Sequence, residues 1–402
     1  APFEEARTRH NLASACEVLG RYEEADTVLA GVTALLPTIP EPMRGFIETD
    51  AKSLEAKLNL DRGRFPEAMR LYEDARRYSR GFGRPEALAE DLRRLADADA
   101  YLGRLPVALA RIDSALALAR SDTGATQMVG GCLCDRGDIL LQLGRPDEAD
   151  SAFTEAITVF RDLDEPMSLA GALGGKGRVR GLSGDFAGGL TYMAEALALA
   201  RRHGDARHAG DYLIGEGRLN LECAQYQSAH DSFTEAKEAA EEVGLPDQRL
   251  EALLQLGRIE RLLDRPASAE ARYGEALALA RATDRIGAEI EARVRMAELR
   301  LVTGRAAAAE SAALEAADRA RSAGAQGLEL EAMALVARAR LEANLPAGAH
   351  EALQAATAHP SFTAYPLVAF DIAWTAARLA RRTSPGVETQ RAYALAVARL
   401  EE

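Results

Sequence analysis

Small apolar, large apolar and polar positions return along this chain in a fixed order about every 40 residues. The phrase LGRYEEA at 19–25 comes back as RGRFPEA at 62–68, LGRLPVA at 102–108 and LGRPDEA at 143–149, with fainter echoes at 183–189, 223–229, 263–269, 303–309 and 343–349. With the second residue of each phrase as an anchor, the copies sit at 20, 63, 103, 144, 184, 224, 264, 304 and 344. Such self-similarity is the mark of a stacked array, in which no unit buries its apolar face alone.

The flanks carry a size code. Seven residues before each anchor stands Ala or Gly: Ala13, Ala56, Ala96, Gly137, Gly177, Gly217, Gly257, Ala297 and Ala337. Five after it stands Ala or Gly again, from Ala25 to Ala349. Nine after it comes a bulkier apolar residue in most copies, among them Tyr72, Ile112, Phe153, Met193, Phe233, Tyr273 and Leu353. Twelve after it Ala recurs, with Val32 the exception. Offsets of five, nine and twelve fall on one face of a helix. The small positions let two helices approach and the large one fills the space between layers.

The anchors themselves are Gly, or Ala, Asp or Asn in later copies. Gly and Asn accept the left-handed conformation that ends a helix. Pro66, Pro106, Pro146, Pro266 and Pro346 follow two or three residues later, where the first turn of a new helix has no need of their N–H. Each anchor is therefore expected to be a helix–turn–helix corner.

This small–small–large–small pattern resembles the tetratricopeptide repeat over nearly the whole chain. The resemblance implies an all-α fold, a right-handed α-solenoid of about ten repeats. The expected organisation is a single superhelical domain over 1–402, with repeat 1 at about 3–36, repeats 2–9 at about 43–358, and a weaker repeat 10 at about 362–402 anchored on Ser384. The period exceeds the 34 residues usual for such repeats, so either the helices or the links are longer. That spacing is similar to the long repeats of bacterial signalling ATPases, transcription regulators and kinesin light chains. Pro-rich stretches at 37–42 and 359–366 are expected to be loops that alter repeat packing.

Composition narrows the function. Apolar residues make up 48% of the chain and aromatics only 5%, which fits Ala- and Leu-rich helices. The net charge of −13 argues against a nucleic-acid partner. No run of 18 apolar residues occurs, so no membrane partner is expected. Cys16, Cys132, Cys134 and Cys223 are scattered, so no metal site or disulfide framework is expected, and a reducing, cytoplasmic setting follows. The chain begins Ala1-Pro2 rather than with Met, as an excised or processed piece would.

No motif for metal, nucleotide or nucleophilic chemistry is present; the expectation is no enzyme and no cofactor. Three features remain as candidate partner-binding positions. Gly171, Gly174 and Gly175, with Gly177 and Gly181, fall inside one expected helix, at about 0.5–1 kcal/mol each relative to Ala. They serve either close helix packing or a smooth groove floor. Asp211, Glu251, Glu291, Glu331 and Asp371 recur every 40 residues, with Arg218, Arg258, Glu298, Arg338 and Arg378 seven on and Arg178 before them. These rows either pair between repeats or meet a partner on the concave surface that the resemblance implies. Trp374, the sole tryptophan, is either core or an exposed anchor. The functions weighed are a protein- or peptide-binding scaffold centred on repeats 4–7, a ligand-sensing or regulatory module of a larger bacterial signalling protein, and a self-assembling array.

Overall fold

The chain is described by a computed structural model over residues 2–18, 21–61, 65–81, 85–101, 103–121, 126–383, 386 and 389–394. Among these residues the regular structure is helical, and the contacts fall into two compact units, Ala1–Gln248 and Arg249–Glu402.

In the first unit the helices run α1 (Pro2–Val18), α2 (Tyr22–Leu35), α3 (Met43–Asp61), α4 (Phe65–Gly81), α5 (Pro85–Tyr101), α6 (Leu105–Ser121), α7 (Thr126–Gln142), α8 (Pro146–Asp162), α9 (Pro166–Leu182), α10 (Phe186–Arg202), α11 (Ala206–Glu222) and α12 (Tyr226–Val243). Odd-numbered helices are the first helix of a repeat and even-numbered ones the second. Each packs against the next, and α7 also touches α5 and α9. The boundary falls within α13 (Pro246–Leu262); the second unit continues with α14 (Pro266–Ala282), α15 (Ile286–Val302), α16 (Ala306–Ala323), α17 (Gln326–Glu342), α18 (Pro346–Thr357) and α19 (Pro366–Thr383). There α15 and α17 pack on each other and on the second helices beside them. Both units are all-α solenoid arrays, as the sequence pattern predicts.

The corners are where the repeat is set. Every described anchor has a left-handed backbone: Gly103, Gly144, Gly184, Ala224, Asp264, Gly304 and Asn344 have φ of 70°, 69°, 82°, 55°, 58°, 76° and 59°. The anchors at 20 and 63, and Ser384 of the tenth copy, lie outside the described residues. After each described anchor the next amide reaches back to close the helix end, as Arg145 N does to Leu140 O at 2.9 Å and Gln225 N to Asn220 O at 2.8 Å. Pro146, Pro266 and Pro346 then open the second helices.

A second set of left-handed residues, Asp164, Gly204, Gly244, Asp284 and Gly324, lies midway between anchors. The link between repeats is thus as tight as the corner within one. Helices of 17 residues, such as α7 to α11, separated by three-residue corners account for the period of 40. The extra length is in the helices, not in the links. The two Pro-rich stretches are the departures: a 3-10 turn at Leu36–Thr38 precedes α3, and another at Phe362–Ala364 precedes α19.

The size code is the core. Ala56, Ala96, Ala297 and Ala337 before the anchors and Ala68, Ala108, Ala149, Ala229, Ala269 and Ala349 after them are fully buried. The bulky positions Ile112, Phe153, Met193, Phe233 and Tyr273 are at most 2% exposed. Glycine at the earlier position makes room for the ring at the later one. A Cβ on Gly137 would lie 2.6 Å from the Phe153 ring, on Gly217 2.8 Å from Phe233, and on Gly257 2.4 Å from Tyr273. Where that later residue is Ile112 or Leu353, the earlier one is Ala96 or Ala337.

Candidate functional site

The first helices of repeats 1–4, with Tyr72 of α4, line a cleft of about 680 Å³, which lies wholly within the first unit. α1 contributes His10 and Ser14; α3 Asp50, Ser53 and Lys57; α5 Arg94 and Asp97; α7 Asp135, Asp138 and Gln142. Helices that present the same register in successive repeats place these side chains in rows. One such row, six residues before each anchor, runs Lys57, Asp97, Asp138, Arg178, Arg218. It begins earlier than the row read from sequence, and its sign changes along the unit.

Electrostatics distinguish the cleft. Arg93 donates to Asp135 at 2.6 Å and to Glu90 at 2.9 Å. Arg178 pairs with Asp138 on the preceding first helix. Lys57 is held by Glu17 at 2.8 Å and Arg94 by Glu90 at 3.2 Å. Asp97 makes no hydrogen bond or ion pair to any described residue. Its side chain stays open to solvent, yet protein surrounds it on the cleft floor. That loss of solvation, with the negative charge of Asp135 added, pushes its pKa up to about 7 against the pull of Arg93. Burial likewise raises Asp135, opposed by Arg93, and Asp138, opposed by Arg178.

The sequence candidates are distributed as follows. Gly174 and Gly175 are buried in α9: a Cβ would lie 2.6 Å from the Tyr212 ring and 2.2 Å from the Phe153 ring respectively. These two make room for packing. Gly171 is exposed, with nothing within 4 Å of its Cβ position. Arg178 borders a smaller cleft of about 340 Å³ beside Asp138, Gln142 and Leu182. Asp211 accepts from Gln248 at 2.7 Å; burial raises its pKa and that hydrogen bond opposes the rise. Arg218 is exposed on α11. In the second unit Glu251 accepts from Gln255 at 2.9 Å and Arg258 is exposed. Trp374, 41% exposed, stacks on Phe370 at 6.0 Å and meets the Tyr393 ring edge-on at 5.0 Å.

The aspartates of the cleft were missed from sequence. Asp97 and Asp138 stand in the register of Arg178 and Arg218, so extending that row two repeats toward the N-terminus would have found them. The four cysteines are free thiols. Among the described residues no cluster fit for a metal ion occurs, and no helix is long and apolar enough to cross a membrane.

A tetratricopeptide repeat model matches residues 131–162, from within α7 to the end of α8. This chain is a tetratricopeptide-like repeat protein. No curated protein matches it. Among solved structures, the repeat array is similar to a signal transduction ATPase with numerous domains (STAND) that carries a tetratricopeptide repeat sensor, from Pyrococcus horikoshii. The TM-score is 0.60 at 14% identity, covering 90% of this chain and 55% of that one. The tetratricopeptide-like chain thus spans about half of that protein. It is also similar to a Rap protein complexed with Competence and Sporulation Factor, with a TM-score of 0.56 at 11% identity over 93% of this chain and 99% of that one. A third is the Rap conjugation gene regulator of the plasmid pLS20 in complex with a Phr peptide, with a TM-score of 0.54 at 13% identity over 89% and 97%. At these identities the likeness is one of fold.

Proposed function

We propose that the chain is a peptide-binding regulatory module, which holds an extended segment of a partner along the first helices of repeats 1–4. The observation that carries this is the 680 Å³ cleft, where polar and ionisable side chains of α1, α3, α5 and α7 share the lining with Leu54, Tyr72, Ala100 and Ile139. Its volume falls within the range of specific ligand sites, about 300–1,000 Å³. Two proteins of similar fold were solved with peptide or factor bound; this supports the reading by analogy. Arg178, Asp211 and Arg218 extend the recognition surface within the first unit; Gly171 leaves the α9 backbone approachable beside it. Within the second unit, Glu251 and Arg258 on α13 and Trp374 on α19 are further candidate contacts.

The test is hydrogen exchange on the purified chain, with and without peptides selected from a random library. Added protection should fall on amides of α3, α5 and α7. Selection of no peptide, or protection confined to other helices, would remove this reading.

A further inference from the structure

We infer that the cleft of repeats 1–4 recognises a cationic group, the ammonium or guanidinium of a lysine or arginine side chain, seated between Asp97 and Asp50 beside Ser53. The inference rests on the peptide-binding reading and names the anchor that such a peptide must carry.

Four aspartates line the cleft: Asp50, Asp97, Asp135 and Asp138. Asp135 is neutralised by Arg93 and Asp138 by Arg178. The cations on the lining, Lys57 and Arg94, are engaged by Glu17 and Glu90. Two carboxylates are left, Asp50 and Asp97, with no hydrogen bond or ion pair from a described side chain. Carboxylates on a protein-lined floor gain strongly from a matching cation, because water there screens less than in bulk.

Ser53 supplies the independent observation. It lines the same cleft, is 6% exposed, and its Oγ has no hydrogen-bond partner. A serine within a helix ordinarily donates to the carbonyl four residues back, and a buried hydroxyl left unpaired costs about 1–3 kcal/mol. An ammonium or guanidinium brings several N–H donors at once, enough for both carboxylates, and the Ser53 hydroxyl, enclosed in the free chain, turns about χ1 to join them.

Asp97 also sets a pH dependence. It is faced by Glu90 and Arg93 on its own helix, by Asp135 and Asp138 from α7, and across the cleft by Asp50 and Lys57 of α3 and His10 of α1. With a pKa of about 7, the ionised fraction in the free protein rises about tenfold from pH 6 to pH 8. A bound cation needs that charge, so binding tightens over the same interval.

The experiment uses the full chain and a positional library of N-acetylated, C-amidated hexapeptides, with spermidine as a second probe. Retained peptides should be enriched in lysine or arginine at one position, and replacing that residue by norleucine should weaken binding about tenfold or more. Asp97→Asn should abolish the enrichment and flatten the rise between pH 6 and pH 8. Peptides retained without basic enrichment, or unaffected by Asp97→Asn, would overturn the cationic anchor while leaving the peptide-binding reading intact. Spermidine binding that is lost in Asp97→Asn, with no peptide retained, would keep the cationic subsite and remove the peptide reading. Binding of neither probe would overturn the inference.

Discussion

The Phe153 ring of α8 lies over Gly175 of α9 so closely that a Cβ on that glycine would stand 2.2 Å from it. The same ring excludes a Cβ at Gly137 of α7. One side chain from a second helix thereby sets the approach of two first helices, and neighbouring repeats are locked in register through it.

This contact separates the glycines of α9 by role. Gly175→Ala must push a fully enclosed ring, so it should lower stability by about 1–3 kcal/mol. Pairing it with Phe153→Leu should recover part of that loss. Gly171→Ala meets open solvent in a helix interior and should raise stability by about 0.5–1 kcal/mol. Urea midpoints of the three variants check the order; equal effects at 171 and 175 would refute the packing account.

Ala224 holds a left-handed conformation, φ 55°, at a corner where most other copies have Gly, Asn or Asp. An L-residue with a Cβ pays about 1–2 kcal/mol there. Ala224→Gly should therefore stabilise the chain by about 1 kcal/mol, after the larger chain entropy of glycine is offset. A lower melting temperature in Ala224→Gly would contradict this.

Asp99 is completely buried, with Arg111 at 2.9 Å and Arg104 at 3.4 Å. Removing the nearer cation leaves a poorly compensated charge in the interior. Arg111→Met should cost about 3 kcal/mol, whereas adding Asp99→Leu to it should restore most of the loss. A double-mutant cycle in urea measures the coupling.

The cleft acids impose a pH dependence on stability. The folded pKa of Asp97, about 7, lies above the ordinary carboxylate value of 3.8. The folded chain thus binds the proton more tightly than the unfolded one. Stability is lost as pH rises from about 4 to about 7, and Asp135 and Asp138, also raised by burial, act in the same sense. In the second unit Glu289 has the opposite sign. Burial would raise its pKa, but hydrogen bonds from Arg293, Arg281 and Arg319 hold it below the usual value, so its contribution is present above the unfolded pKa and lost in acid. Asp97→Asn should raise the melting temperature at pH 8 by a few degrees, about 1 kcal/mol or less given its solvent exposure. It should change little at pH 5. A variant less stable than the parent at pH 8 would contradict the sign.

Much of the fold was legible because it is periodic. The corner residues, the two small positions and the bulky one recur at constant offsets, and each offset has one physical use in a stacked helix pair. Two elements escaped. The midpoint corners at Asp164, Gly204, Gly244, Asp284 and Gly324 share no recurring phrase like that of the anchors, although Pro166 and Pro246 follow two of them at the anchor spacing, so the 20-residue half-period stayed hidden. The Gly-for-ring exchange between Gly217 and Phe233, or Gly257 and Tyr273, was present as a correlation between two columns rather than as a motif in either.

The candidate site was less legible for a different reason. Arginine rows stand out because they repeat, and in this register the arginines begin at Arg178. Asp97 and Asp138 share that register, but a sign change along a row breaks the visible repeat. The sequence alone determined the helices, their corners and their packing code, since these follow from local backbone geometry and side-chain volume at fixed spacing. Only the tertiary structure decided which charges cancel and which do not. Asp135 and Asp138 are neutralised by Arg93 and Arg178 from neighbouring helices, while Asp97 on the same floor has no such partner. Pairing and desolvation depend on distances across repeats, which no offset within one repeat encodes.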